Sequence, residues 1–171
     1  MTSNGKIEES QRWLDRIKAS EHHKDRTDLT DNIRSFLTST NSISDHLLEE
    51  YNKKFNLKIS LQKDLYPRTF KESADKQKNT DALKFITDFN AKKKIIKSDP
   101  ILGALIKKRN QDIHRESQQP NKIVISVGGN TKPEDEFAIN FDDLPRNIDD
   151  SCQKLLDAMR NFVSEMKKDY P

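Results

Sequence analysis

Ser98-Asp99-Pro100-Ile101-Leu102-Gly103-Ala104-Leu105-Ile106-Lys107-Lys108-Arg109-Asn110-Gln111-Asp112-Ile113-His114 is the stretch on which the reading of this chain turns. Ser98-Asp99-Pro100 is a helix start, because proline's fixed φ suits the first helical turn, where its missing N–H costs nothing. From there the spacing predicts a helix to about Ser117, with Leu102, Leu105, Ile106 and Ile113 as its apolar stripe. At about 100° per residue, Arg109 falls in the middle of that stripe. A guanidinium on a packing face is costly to bury unless an anion or a hydrogen-bonding group meets it. Asn110 and His114 stand at i and i+4 and share a face. A fixed cation, an amide and a titratable imidazole are thus gathered within about two turns, at the edge of a surface that wants to be buried.

The same periodicity runs outward in both directions. Residues 6–24 read as a helix with Ile7, Trp13, Leu14 and Ile17 on its apolar side, within an N-terminal segment 1–26. Thr27 and Asp28 are cap types for a long helix to about Phe55, whose apolar positions include Leu29, Ile33, Phe36, Leu37, Ile43, Leu47, Leu48 and Tyr51. The poor helix formers from Thr38 to Ser44 are a place where that helix could break. Leu57, Ile59, Leu61 and Leu65 alternate as in a strand, until Tyr66-Pro67 stops the run. Lys71 to Asn79 is almost wholly polar, an exposed helix or a loop. Thr80-Asp81 opens a helix to about Lys97 with Leu83, Ile86, Phe89 and Ile96 inside. Residues 27–117 therefore form a helical core that ends in the motif helix.

A β-hairpin is expected over 121–142. Ile123, Ile125 and Val127 share one face, as do Phe137, Ile139 and Phe141, with Gly128-Gly129-Asn130 and Pro133 between them. A last helix over 148–169 carries Ile148, Cys152, Leu155, Leu156, Met159, Phe162, Val163 and Met166 at i, i+3, i+4 spacing. The fold class expected is all-α: one domain over 1–171, a helical bundle with one small hairpin before the C-terminal helix.

The bulk numbers bound the rest. Of 171 residues, 32% are hydrophobic and 35% charged, with a mean hydropathy of −0.96, which is a thin core for the length. Long solvated helices explain it, and so does a chain that completes its core against a second copy. The 31 basic and 28 acidic residues give a net charge of +3, too even to mark a nucleic-acid binder without local basic runs. The single cysteine, Cys152, rules out an internal disulfide framework and a cysteine zinc site, and points to a reducing, cytoplasmic setting. Met1 to Ile7 is polar and shows no secretory leader, and no apolar run approaches the ~18 residues that span a bilayer.

Arg109-Asn110-Gln111-Asp112-Ile113-His114, on a helix started by proline and followed by a variable insert and an amphipathic last helix, resembles the HEPN superfamily. Its signature is an Arg, a polar residue, and a His after a gap of four to six; Arg109, Asn110 and His114 match it. The specific match covers six residues and the architectural one, loosely, 27–168. The resemblance implies an up-and-down helical bundle that dimerises and faces two motifs across a two-fold seam. It also implies a metal-independent endoribonuclease with no cofactor, of the kind found among toxins and phage-defence effectors. Such a protein has RNA as substrate and an antitoxin or effector as possible partner. Non-catalytic members bind RNA, a nucleotide or a protein, and that is the rival reading; an interaction domain of a larger effector is a third.

The residue chemistry agrees with the first reading. RNA carries its own nucleophile, so cleavage needs a proton-transfer group near neutral pH and positive charge at phosphorus. His114 supplies the first, Arg109 the second with a planar fork, and Asn110 can orient either. Arg109 and His114 are about 140° apart around the helix and ~7.5 Å apart along it, so one helix does not aim both at one point. A site shared by two copies does. Lys107, Lys108 and Arg115 are candidate RNA contacts, and Lys92-Lys93-Lys94 with Lys97 is a second basic run. Each feature has a plainer reading: Arg109 snorkelling toward Asp112 or Glu116, His114 at a fraying helix end, and the lysines as a wet helix face. His22-His23 reads as a solvated patch, His46 as structural and Cys152 as core.

Overall fold

The computed structural model describes residues 2–21, 26–60, 66–107 and 148–171, together with the dipeptides 125–126 and 139–140. Among these are six helices: α1 (Ser3–Glu21), α2 (Arg26–Lys54), α3 (Pro67–Lys76), α4 (Thr80–Ser98), α5 (described over 100–107) and α6 (Ile148–Asp169). They form a helical bundle. α6 packs on α1, α2 and α4, α1 lies along α2, and α3 lies against α4. None of the helices is long and apolar enough to cross a membrane.

α2 runs unbroken through Thr38–Ser44, the place where the expected long helix could have broken. The polar side chains there bond back onto their own helix. Asn41 Nδ2 donates to the Leu37 carbonyl, Ser42 Oγ to Ser39, and Ser44 Oγ to Asn41. Ser39, Thr40 and Ser44 are buried, and the Ser10 hydroxyl of α1 donates to Ser39 Oγ at 3.0 Å. Small side chains let the two helices approach closely, and that packing outweighs the weak propensity. α2 also begins earlier than its cap types suggest, so Thr27 and Asp28 fall inside its first turn.

The alternating run after α2 forms no strand at residues 57–60; Leu61 and Leu65 lie outside the described residues. Asn52, on α2, takes the place of a strand partner. Its Nδ2 donates to the Ile59 carbonyl at 3.0 Å, and the Ile59 N–H donates to its Oδ1 at 3.2 Å. One amide satisfies both backbone groups that a sheet would have paired. The polar stretch that follows is helical to Lys76. α4 is capped by Asn79, one residue before the expected Thr80-Asp81, with the Ala82 N–H donating to Asn79 Oδ1.

The expected antiparallel hairpin over 121–142 is not seen. Ile125–Ser126 and Ile139–Asn140 instead pair in parallel, Ile125 opposite Ile139. Alternation marks residues suited to a strand but not its direction. The intervening stretch, 127–138, is longer than the two to five residues usual in hairpin loops and about the dozen that a parallel crossover needs.

The core is largely the one the periodicities outlined. Leu14 and Ile17, Ile33, Phe36, Ile43 and Leu47, Ile86 and Phe89, and Leu155, Leu156, Phe162 and Met166 are all buried, with Cys152 among them; Phe85, which the expected stripe of α4 omitted, is fully buried as well, whereas Leu83 and Ile96 are only partly so. Phe85 sits at the centre of an aromatic group. Tyr51 stacks on it at 4.1 Å between centroids, and Phe55, Phe70, Phe89 and Tyr170 surround it at 5.3 to 5.9 Å.

Candidate functional site

Arg109, Asn110, His114, Lys108 and Arg115 lie outside the described residues, as do His22 and His23. What the structure describes is the helix that leads into the motif and the corner from which it starts.

That corner is held at three points. Asp99 is the N-cap of α5: its Oδ1 accepts from the backbone N–H groups of Ile101 (3.0 Å) and Leu102 (3.1 Å). Its Oδ2 pairs with Lys154 Nζ of α6 at 2.7 Å. The ammonium of Lys154, then the α5 amides, hold the Asp99 carboxyl below its ordinary value. Pro100 occupies the first helical position, as its sequence context predicts. The second point is the apolar stripe, with Leu102, Leu105 and Ile106 buried. The third is Gly103, whose absent side chain lets α5 lie against α4. A methyl added there would stand 2.4 Å from the Lys97 carbonyl oxygen. The only one of the candidate site residues within the described part, Lys107, is exposed on the next turn.

The second basic run is divided by the fold. Lys92 reaches α6, pairing with Glu165 at 2.5 Å and Asp169 at 3.6 Å, and Glu165 above all raises its pKa. Lys93 turns inward, donating to the buried Ser44 hydroxyl at 2.7 Å and lying over the Phe89 ring. Lys94 and Lys97 are exposed and have no partner among the described residues, and the same holds for Lys107. Ile95, between them, is 69% exposed. His46 bonds Glu49 on its own helix at 3.1 Å.

Sequence reasoning found the α5 start and the Leu102, Leu105 and Ile106 part of its stripe. It missed Lys154 as the tether, for which a lone exposed lysine 55 residues away gives no signal. It also could not tell the committed lysines of the 92–97 run from the uncommitted ones. Comparison with protein-family models, with curated proteins and with solved structures gives no match to this chain.

Proposed function

We propose that this chain is a HEPN-like module that acts on RNA as a homodimeric, metal-independent endoribonuclease of the cytoplasm, in toxin or phage-defence biology. The observation that carries the reading is the register of α5. Leu102, Leu105 and Ile106 are buried on one face, and the helical period assigns Arg109 to that face. The helix is capped by Asp99, tethered to α6, and is described to Lys107, two positions in the sequence before Arg109-Asn110-x-x-x-His114.

In this reading the 2′-hydroxyl of a ribose attacks the adjacent phosphorus and the P–O5′ bond breaks, leaving a cyclic phosphate and a 5′-hydroxyl. His114 transfers the proton, Arg109 meets the charge that builds on the phosphoryl oxygens, and Asn110 orients one or the other. Lys107, Lys108 and Arg115 contact the strand. Two copies of an up-and-down bundle meet at the motif, which overcomes the divergence of Arg109 and His114 on a single helix.

The test is purified protein with mixed RNA in EDTA, beside His114→Ala and Arg109→Ala. Cleavage by the wild type alone supports the enzyme. Binding of RNA without cleavage by any form replaces it with the non-catalytic module, and a monomer by light scattering removes the shared site.

A further inference from the structure

We propose that the outer side of the α4–α5 corner is a docking track for the sugar–phosphate backbone of single-stranded RNA, held by Lys94, Lys97 and Lys107. The inference rests on the RNA-directed reading above and names the surface along which the strand reaches the motif.

Three observations carry it. First, the structure sorts the lysines of this region by availability. Lys92 and Lys93 are spent on Glu165, Asp169, Ser44 and the Phe89 ring, whereas Lys94, Lys97 and Lys107 stand exposed with no partner among the described residues. Second, the described residues build in no counter-ion. From Ala91 to Lys107 the chain has five lysines and one acid, Asp99, and that carboxylate is occupied by Lys154 and the α5 amides. Although the chain's overall charge is nearly balanced, its described residues leave this corner unbalanced. Third, the three roots are close. Lys94 and Lys97 are one turn apart on α4, about 5–6 Å between Cβ atoms. A methyl at Gly103 would stand 4.0 Å from the Lys97 Cα, and Lys107 follows Gly103 by one turn. That puts the Lys97 and Lys107 Cα atoms within about 12 Å.

Flexible ammonium groups suit a phosphate backbone, which asks for positive charge without fixed geometry. Ile95, about 160° from Lys97 around α4, lies off the track as a single exposed apolar side chain. One such side chain is too little to enter a lipid surface, which needs an apolar helix face. The track runs from α4 into α5, and Lys107 is two residues from Arg109, so it delivers a strand to the motif.

The experiment measures binding of a fluorescein-labelled 2′-O-methyl oligouridine, which cannot be cleaved because its nucleophile is blocked, across a salt titration. The wild type is compared with Lys94→Ala/Lys97→Ala/Lys107→Ala and with a charge-matched control, Lys71→Ala/Lys76→Ala/Lys168→Ala, which removes three exposed lysines elsewhere. Each phosphate contact contributes about 0.7 to the slope of log K against log salt, so the track variant should lose about 2 from that slope while the control keeps it. Equal losses in both variants, an unchanged slope in the track variant, or no binding by the wild type each overturn the track. So does a change of oligomeric state in the track variant alone, which would make this corner a protein interface. Cleavage of unmodified RNA in EDTA is read separately. Cleavage with an unchanged slope ends the track and leaves the nuclease; lysine-dependent binding without cleavage does the reverse.

Discussion

Asp99 does two jobs with two oxygens, and its substitutions separate them. Oδ1 caps α5 and Oδ2 pairs with Lys154 across to α6. Asp99→Ala loses both and should cost about 1 kcal/mol for the cap alone. Asp99→Asn keeps a capping oxygen and loses only the charge pair, whose other half is exposed, so it should cost less than about 1 kcal/mol. The pH dependence identifies the pair. The folded carboxyl lies below its ordinary value of 3.8, so its contribution is complete above that value and fades as the pH falls through the lower folded value. Urea titrations should therefore show a gap between wild type and Asp99→Asn at neutral pH that closes in acid. A gap that persists there would mean the charge pair is not its source. The cap was legible in the sequence, since Asp before Pro is a local signal. The pair was not, because it joins residues with no regular spacing between them.

At the scale of elements, apolar periods gave most of the buried positions, though the α4 stripe omitted Phe85, and propensity gave way where packing overruled it. α2 holds through Thr38–Ser44 because the hydroxyls of Ser39, Ser42 and Ser44 are paired and its small side chains fit α1. The run after α2 alternates like a strand, yet Asn52 captures its backbone. Charge runs hid more: composition shows how many lysines there are, while only the fold shows which ones Glu165, Asp169 and Ser44 have taken. Gly103 gives a test in which two effects have opposite signs. Inside a helix, Gly→Ala usually gains about 0.5–1 kcal/mol. Here the new methyl would lie 2.4 Å from a backbone oxygen of α4, so one helix must move, and overpacking of that kind costs about 1–3 kcal/mol. Gly103→Ala should therefore lower the melting temperature, with RNA cleavage falling along with it if α5 aims the motif. A more stable variant would show that α5 does not lie hard against α4.

At the scale of the whole molecule, the sequence named the inner faces but not which of them meet. Nothing local says that Tyr51 of α2, Phe55 just beyond it, Phe70 of α3 and Tyr170 beyond α6 converge on Phe85 of α4. The Tyr51 hydroxyl strengthens the junction by donating to the Tyr170 carbonyl at 2.7 Å, while Tyr170's own hydroxyl donates to Asp88. In a chain that is only 32% hydrophobic, such a junction matters more. Phe85→Ala removes a fully buried ring at the meeting point and should cost about 3–5 kcal/mol, a large share of a domain's usual 5–15. Ile95→Ala, at an exposed position on the same helix, should stay within about 0.5 kcal/mol. Because the ring touches three helices and the segment after a fourth, the loss should appear as one shifted unfolding transition by circular dichroism and by tyrosine fluorescence alike. Two separated transitions would mean that α2, α3, α4 and the end of α6 do not share one core, and that Phe85 stabilises only a part of the bundle.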